Sequence, residues 1–278
     1  MLSLSLGPFA LAINHLLLLM ALAVATLVGW LSGRARRINP ERTLFSLFIV
    51  GLLIARLAFV IAYWTQYRDN LLHIVDIRDG GFLPWAGVVA VLIGWLLLAW
   101  QRPALRKALG LAVLSGLLFW GLTTAAFDAQ QAKTRLPELT LRNAAGEPVR
   151  LHELVGKPLV INLWATWCPP CRREMPVLAA AQQAHPEVTF LFVNQAESPR
   201  DVATFLTAQG LHLDNLLFDD SGELAKRIGS AALPTTLFYQ PDGRLLGSHL
   251  GQLSSASLKQ YLDGLSDIVP SSVARSTP

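Results

Sequence analysis

Cysteine is nearly absent from this chain of 278 residues: there are two, Cys168 and Cys171, both inside WATWCPPC. That scarcity excludes several chemistries. No second cysteine pair exists, and His152, His185, His212 and His249 lack paired spacing, so a four-coordinate zinc site has too few ligands. No metal and no cofactor are expected. The apolar runs of the N-terminal half contain no cysteine either, so that half cannot relay electrons by thiol exchange. Charge is also scarce, at 15% of residues, and unevenly placed. The sequence pI of 9.3 would suit a nucleic-acid partner. However, residues 1–130 hold ten Lys/Arg against five Asp/Glu, whereas residues 131–278 hold thirteen against fourteen. The basic excess belongs to the hydrophobic half, and nucleic-acid binding is excluded because it needs a basic face on a folded domain.

What is abundant is apolar sequence, 53% of residues, with a mean hydropathy of +0.42. Four runs stand out: Phe9–Trp30, Thr43–Trp64, Gly81–Trp100 and Ala108–Phe127. Each is about 20 residues, enough to cross a hydrocarbon core of about 30 Å as a helix. Trp30, Trp64, Trp85, Trp100 and Trp120 fall at or near run ends, where interfacial aromatics gather. The first connection carries Arg34, Arg36, Arg37 and Arg42, and the third carries Arg102, Arg106 and Lys107. The second sets Arg68 and Arg78 against Asp69, Asp76 and Asp79. The positive-inside rule then places connections one and three in the cytoplasm and both termini outside, with the cysteines facing the periplasm. An Ala-Val-Ala before Thr26 resembles a signal cleavage site, but residues 1–8 have no basic residue, which favours a retained span. Arg56 lies near the middle of the second run, where a charge is costly and usually functional. It is a candidate for a lipid headgroup or an acidic partner in the bundle, or for a purely structural pair.

After Phe127 the pattern changes. The stretch 158–164, PLVINLW, is a continuous apolar run of strand length. Pro169 and Pro170 suit the first turn of a helix reaching Ala184. A strand follows at Val188–Asn194, a helix at Pro199–Gln209, a strand at Asn215–Phe218 and a helix at Ser221–Ile228. Thr235–Tyr239 and Arg244–Leu250 flank the hairpin signal Pro241-Asp242-Gly243, and Ser254 can cap a last helix to Leu265. The expected organisation is a four-helix transmembrane domain at 1–130, an α/β domain with a mixed sheet at 131–266, and a disordered tail at 267–278.

INLWATWCPPCRREMP, FVNQAES and LPTTLFYQPDGRLL together resemble the TlpA/ResA branch of membrane-tethered, thioredoxin-like thiol–disulfide oxidoreductases, over about residues 135–265. The strand–helix segment near 198–220 matches an insertion that this branch carries. The resemblance implies a thioredoxin-like fold and a redox-active Cys168–Cys171 disulfide. Cys168 is then the partly exposed nucleophile at a helix start and Cys171 the buried resolving thiol. Pro234 matches the cis-proline of the superfamily, and Trp167, Leu233, Pro234 and Thr235 become client-binding residues. Glu174 matches a glutamate that influences cysteine protonation. The aspartate that does this in thioredoxin is replaced by Asn162, which cannot titrate; the alternative for Glu174 is a surface pair with Arg172 or Arg173. Pro169 and Pro170 offer the Cys168 sulfur no N–H, which favours a reducing dithiol.

Implied partners are disulfide-bearing periplasmic proteins, a separate thiol donor and the lipid bilayer. Implied clients include apocytochromes and copper-assembly proteins, which would place the chain in cytochrome c biogenesis at a bacterial inner membrane. The same site could serve an oxidase or isomerase, or the fold could be a non-catalytic chaperone or docking module.

Over about residues 10–100, Ala55-Arg56-Leu57-Ala58-Phe59-Val60 and the loop ending DIRDGG resemble prolipoprotein diacylglyceryl transferase. Where that family has His-Gly-Gly, this chain has Pro84-Trp85-Ala86-Gly87; the Gly-Arg-x-Gly-Asn signature is missing and four spans stand in place of seven. A lipid-modifying enzyme with a thioredoxin appendage is therefore the lesser expectation.

Overall fold

The computed structural model describes residues 3–6, 9–34, 39–68, 71–230 and 232–267. Arg36, Arg37 and Asp69 of the charge pattern, and all of the expected tail after Asp267, lie outside the described residues. Two compact units emerge, Ile13–Asp128 and a second formed by Met1–Ala12 with Ala129–Pro278.

The chain opens differently from the expectation. Ser3–Leu6 (β1) and Phe9–Ala12 (β2) pair antiparallel, with Leu6 in register with Phe9. The Ser-Leu-Ser-Leu alternation has the two-residue period of a strand, and the first helix begins only at Ile13. It runs to Arg34 (α1) and is followed by Glu41–Ala62 (α2) and the short Trp64–Tyr67 (α3). Two 3₁₀ turns, Leu71–Ile74 and Ile77–Asp79, lead to Pro84–Gln101 (α4) and Arg106–Gln131 (α5). Gly81, expected inside the third run, belongs to the loop, and α4 opens on Pro84, whose missing N–H costs nothing in a first helical turn. Helices α1, α2, α4 and α5 are long and apolar enough to cross a membrane. Where α2 packs on α4, an added Cβ on Gly87 would sit 3.0 Å from the Gly51 carbonyl oxygen, so the two backbones approach closely there.

The second unit is built on a seven-stranded mixed sheet. Its elements are Thr140–Asn143 (β3), Pro148–Arg150 (β4), Leu159–Trp164 (β5), Pro169–Ala184 (α6), Thr189–Gln195 (β6) and Pro199–Gln209 (α7). Leu216–Asp219 (β7), Glu223–Ile228 (α8), Thr235–Tyr239 (β8), Leu245–Leu250 (β9) and Ser255–Ser266 (α9) complete it. Strand order is β4-β3-β7-β6-β5-β8-β9, with β5 parallel to β6 and antiparallel to β8.

Burial follows the two-residue strand period. Leu159, Ile161 and Leu163 join the apolar cluster on one face of the sheet, with Leu191, Val193 and Leu237. Val160 and Trp164 join the opposite cluster, which contains Cys171, Met175 and Leu178 of α6. Asn162 lies between Val160 and Trp164, so the same alternation turns its amide toward α6.

Candidate functional site: a disulfide at a helix start

The strand β5 ends at Trp164 and α6 starts at Pro169, so Cys168 is the N-cap and Cys171 sits inside the first turn. The two sulfurs form a disulfide. Pro169 and Pro170 have no N–H, and the Cys171 amide donates to Cys168 Sγ at 3.3 Å. Cys171 is fully buried, and Cys168, expected to be partly exposed, keeps only 3% exposure. In the oxidised form its sulfur is turned toward a buried partner. Trp167, 67% exposed, and Pro169, also exposed, flank Cys168.

Glu174 is not a surface residue paired with arginine. One turn beyond Cys171 on α6, it is fully buried. Its Oε1 accepts from Asn162 Nδ2 at 2.7 Å, and its Oε2 accepts from the Leu253 N–H at 2.9 Å. Arg172 instead lies over the Phe205 ring, and Arg173 donates to Gln252 Oε1 at 2.7 Å. Burial pushes the Glu174 pKa from 4.5 up to about 8, outweighing the two hydrogen bonds that favour the carboxylate. Asn162 also donates to Thr236 Oγ1 at 3.0 Å, while its own Oδ1 has no partner among the described residues. An amide can donate to the carboxylate or, rotated, accept from the carboxylic acid, so either state of Glu174 has a partner.

Leu163 is in register with Thr235, which brings the end of β5 and the start of β8 together. The cysteine turn and the Leu233–Pro234 loop therefore share one end of the sheet. The Leu233–Pro234 bond is cis. The Pro234 carbonyl accepts from the Gly251 N–H at 2.9 Å, whereas neither backbone group of Leu233 has a hydrogen-bond partner among the described residues. Thr235 departs from the expected client-binding role: it is fully buried, and its hydroxyl donates to the Ala232 carbonyl at 2.7 Å. Its side chain, with no exposed surface, is not available to a docked protein.

One residue escaped the sequence reading. Glu197 follows β6 directly, after Ala196 in the left-handed conformation at φ 59°. Its carboxylate accepts from the Thr166 N–H at 2.7 Å, from the Thr166 hydroxyl and from Asn194 Nδ2 at 2.7 Å. It thereby holds the turn that presents Trp167. The two residues are 31 positions apart, and only the register of Trp164 with Asn194 brings them together. No spacing rule would have found the pair.

In the other unit, Arg56 is a clasp. Nε donates to the Ile74 carbonyl at 3.1 Å, and Nη1 donates to Asp79 Oδ1 at 2.9 Å and the Gly81 carbonyl at 2.8 Å. Nη2 donates to the carbonyls of His73 at 3.0 Å and Asp76 at 2.8 Å. All five N–H groups of the guanidinium are thus engaged within the protein. A lipid headgroup finds no donor there; the acidic partner in the bundle is Asp79, which also accepts from the Tyr67 hydroxyl at 3.0 Å. The DGG sequence serves this cluster: Asp79 binds Arg56, Gly80 adopts φ 64°, and Gly81 approaches so closely that a Cβ would lie 2.6 Å from Arg56 Nη1.

Comparison with known proteins divides the chain at the same place. Residues 132–247 match the AhpC/TSA family, and residues 2–127 match the prolipoprotein diacylglyceryl transferase family. The thiol–disulfide oxidoreductase ResA of Halalkalibacterium halodurans is 26% identical over 166 residues, 59% of this chain and 93% of that protein. The thioredoxin-like protein YneN of Bacillus subtilis is 30% identical over 140 residues, 49% of this chain and 79% of that protein. Among solved structures, a secreted Mycobacterium tuberculosis disulfide oxidoreductase is 27% identical, with a TM-score of 0.42, covering 46% of this chain and 96% of that one.

Proposed function

The chain belongs, through its C-terminal half, to the thioredoxin-like thiol–disulfide oxidoreductases, and on that premise we propose that it is a membrane-tethered reductase of periplasmic protein disulfides. In the proposed cycle a client docks against Trp167 and the Leu233–Pro234 loop. The Cys168 thiolate attacks one client sulfur, forming a mixed disulfide and releasing the other client sulfur as a thiolate. Glu174, in the fraction that has given up its own proton, takes the proton of Cys171, and the resulting thiolate attacks the Cys168 sulfur and expels the second client sulfur. The client leaves reduced, and Cys168–Cys171 is left oxidised. A separate thiol donor then returns two electrons, because no other cysteine exists in the chain. Cysteine pairs of proteins awaiting haem or copper are the proposed clients.

The observation that carries this reading is the Cys168–Cys171 pair at the start of α6 with Glu174 buried one turn behind it. The direction of electron flow is supported by the donor count: one amide, from Cys171, reaches the Cys168 sulfur, and two prolines reach it with none. A poorly stabilised thiolate keeps the disulfide stable and the dithiol reducing. Placement at a bacterial inner membrane, with the cysteines outside, is supported by Arg34, Arg42, Arg102, Arg106 and Lys107 on one side of the spans. Tethering confines encounters to the membrane surface and raises the effective concentration of membrane-linked clients.

The decisive test is Cys171→Ala in the full chain. It should trap the client on Cys168 as a mixed disulfide that reducing agent dissolves. A variant that accumulates no adduct, together with a wild-type chain that cleaves no protein disulfide, overturns the reading.

A further inference from the structure

The loop clasped by Arg56 has a second side that no part of the redox cycle uses. Its inner side is polar backbone: the carbonyls of His73, Ile74, Asp76 and Gly81 accept from the guanidinium, and the Leu83 N–H donates to the Ala55 carbonyl at 3.0 Å. Its outer side is largely apolar, although His73 and Arg78 are exposed as well. Leu71, Leu72, Val75 and Ile77 are exposed by 57%, 82%, 80% and 63%. Large apolar side chains clustered in this way mark an interaction surface.

We propose that residues 71–77 form an interfacial anchor, seated among the lipid headgroups and upper acyl chains at that end of α2 and α4. The occupant is indicated by continuity. The loop leaves one apolar helix and enters the next, and exposed Leu57 and Ile61 of α2 and Val89 of α4 lead onto it. Trp64 and Trp85, also exposed, bracket it in the manner of interfacial aromatics.

Arg56 supplies what such a position demands. Backbone carbonyls outside a helix cannot enter a lipid layer unpaired, and here one forked side chain takes up those of four residues. Its charge is balanced by Asp79, and Arg78 is balanced by Asp76 at 2.7 Å, so the anchor brings no uncompensated arginine toward the lipid. The inference concerns the membrane half and stands apart from the redox reading.

The test uses the full chain in phosphatidylethanolamine–phosphatidylglycerol vesicles, with Cys168–Cys171 kept oxidised. A nitroxide is placed at Leu72→Cys or Val75→Cys, and at Ala145→Cys in an exposed turn as the aqueous reference. Collision rates with oxygen, which partitions into lipid, and with a water-soluble nickel chelate are compared. At positions 72 and 75 oxygen should dominate several-fold, with the reverse at 145. Labels at 72 and 75 that behave like the one at 145 would overturn the proposal. So would labels shielded from both reagents, because protein would then cover the loop. Arg56→Lys keeps the charge and loses the fork, and it should swing the ratios toward the aqueous reference; unchanged ratios would overturn the part given to the guanidinium.

Discussion

Asn162 on β5 and Glu174 on α6 meet at 2.7 Å, amide nitrogen to carboxyl oxygen, in a site with no access to water. The pairing joins an element chosen by strand period to one chosen by helix period. Burial there, working against this hydrogen bond, leaves a carboxyl group that holds its proton to about pH 8.

The first prediction concerns pH. Glu174 has a folded pKa raised from 4.5 to about 8, so its favourable protonated form is fully present below 4.5. As pH rises through that window the unfolded chain ionises while the folded one keeps its proton, and stability falls by about 1.4 kcal/mol per pH unit. Glu174→Gln should remove this slope. The stability difference between wild type and variant, from denaturant midpoints in detergent, should shift by a few kcal/mol across the window. In the same variant, resolution of a Cys168 mixed disulfide should slow on the order of a hundredfold. A parallel pH profile for the two proteins would count against the assigned role.

The second concerns Glu197. Glu197→Gln withdraws charge-assisted hydrogen bonds from the turn that displays Trp167, interactions worth about 1.5–3 kcal/mol each. The KM for a protein disulfide should rise about tenfold, with kcat and reaction with a small dithiol nearly unchanged. Thr166→Val, which keeps the backbone bond, should show a smaller shift in the same direction. Equal losses with protein and small-molecule substrates would mean that Glu197 supports the fold alone.

The third compares two glycines. A Cβ on Gly81 would press into the Phe59 ring and Arg56, whereas nothing lies within 4 Å of one on Gly121. Gly81→Ala should cost about 1–3 kcal/mol, seen as a lower thermal midpoint of the full chain in detergent. Gly121→Ala, in the middle of α5, should be neutral or slightly stabilising. Equal midpoints for the two variants would contradict the packing described around the clasp.

Much of the fold could be read from the sequence because its signals were local. PLVINLW, the proline pair and the Pro-Asp-Gly turn give β5, α6 and the β8–β9 hairpin to within a residue or two. Strands β3 and β4 were missed because TLRN and PVR are short, polar and mostly exposed, and Leu141 is the single buried side chain in them. Glu174 could be placed on the Cys171 face by helical spacing, but its burial depends on Asn162 and Leu253 arriving from elsewhere. Arg56 stood out as a charge within an apolar run, yet four of its partners are carbonyls, which leave no trace in residue identity. Thr235 stands beside Pro234 in sequence, but its burial and its hydroxyl bond to the Ala232 carbonyl are tertiary facts that adjacency does not reveal.

The rung that sets Leu163 against Thr235 has a further effect. The cysteine turn follows the end of β5 and the cis-proline precedes the start of β8, so the ladder sets the points from which both turns leave the sheet. A slip of one residue would separate the cysteines from the cis-proline and, in the same motion, turn Asn162 away from Glu174. Substitutions within those turns leave their points of departure in place, whereas misregistered chains would lose exchange activity entirely instead of acquiring a weaker version of it.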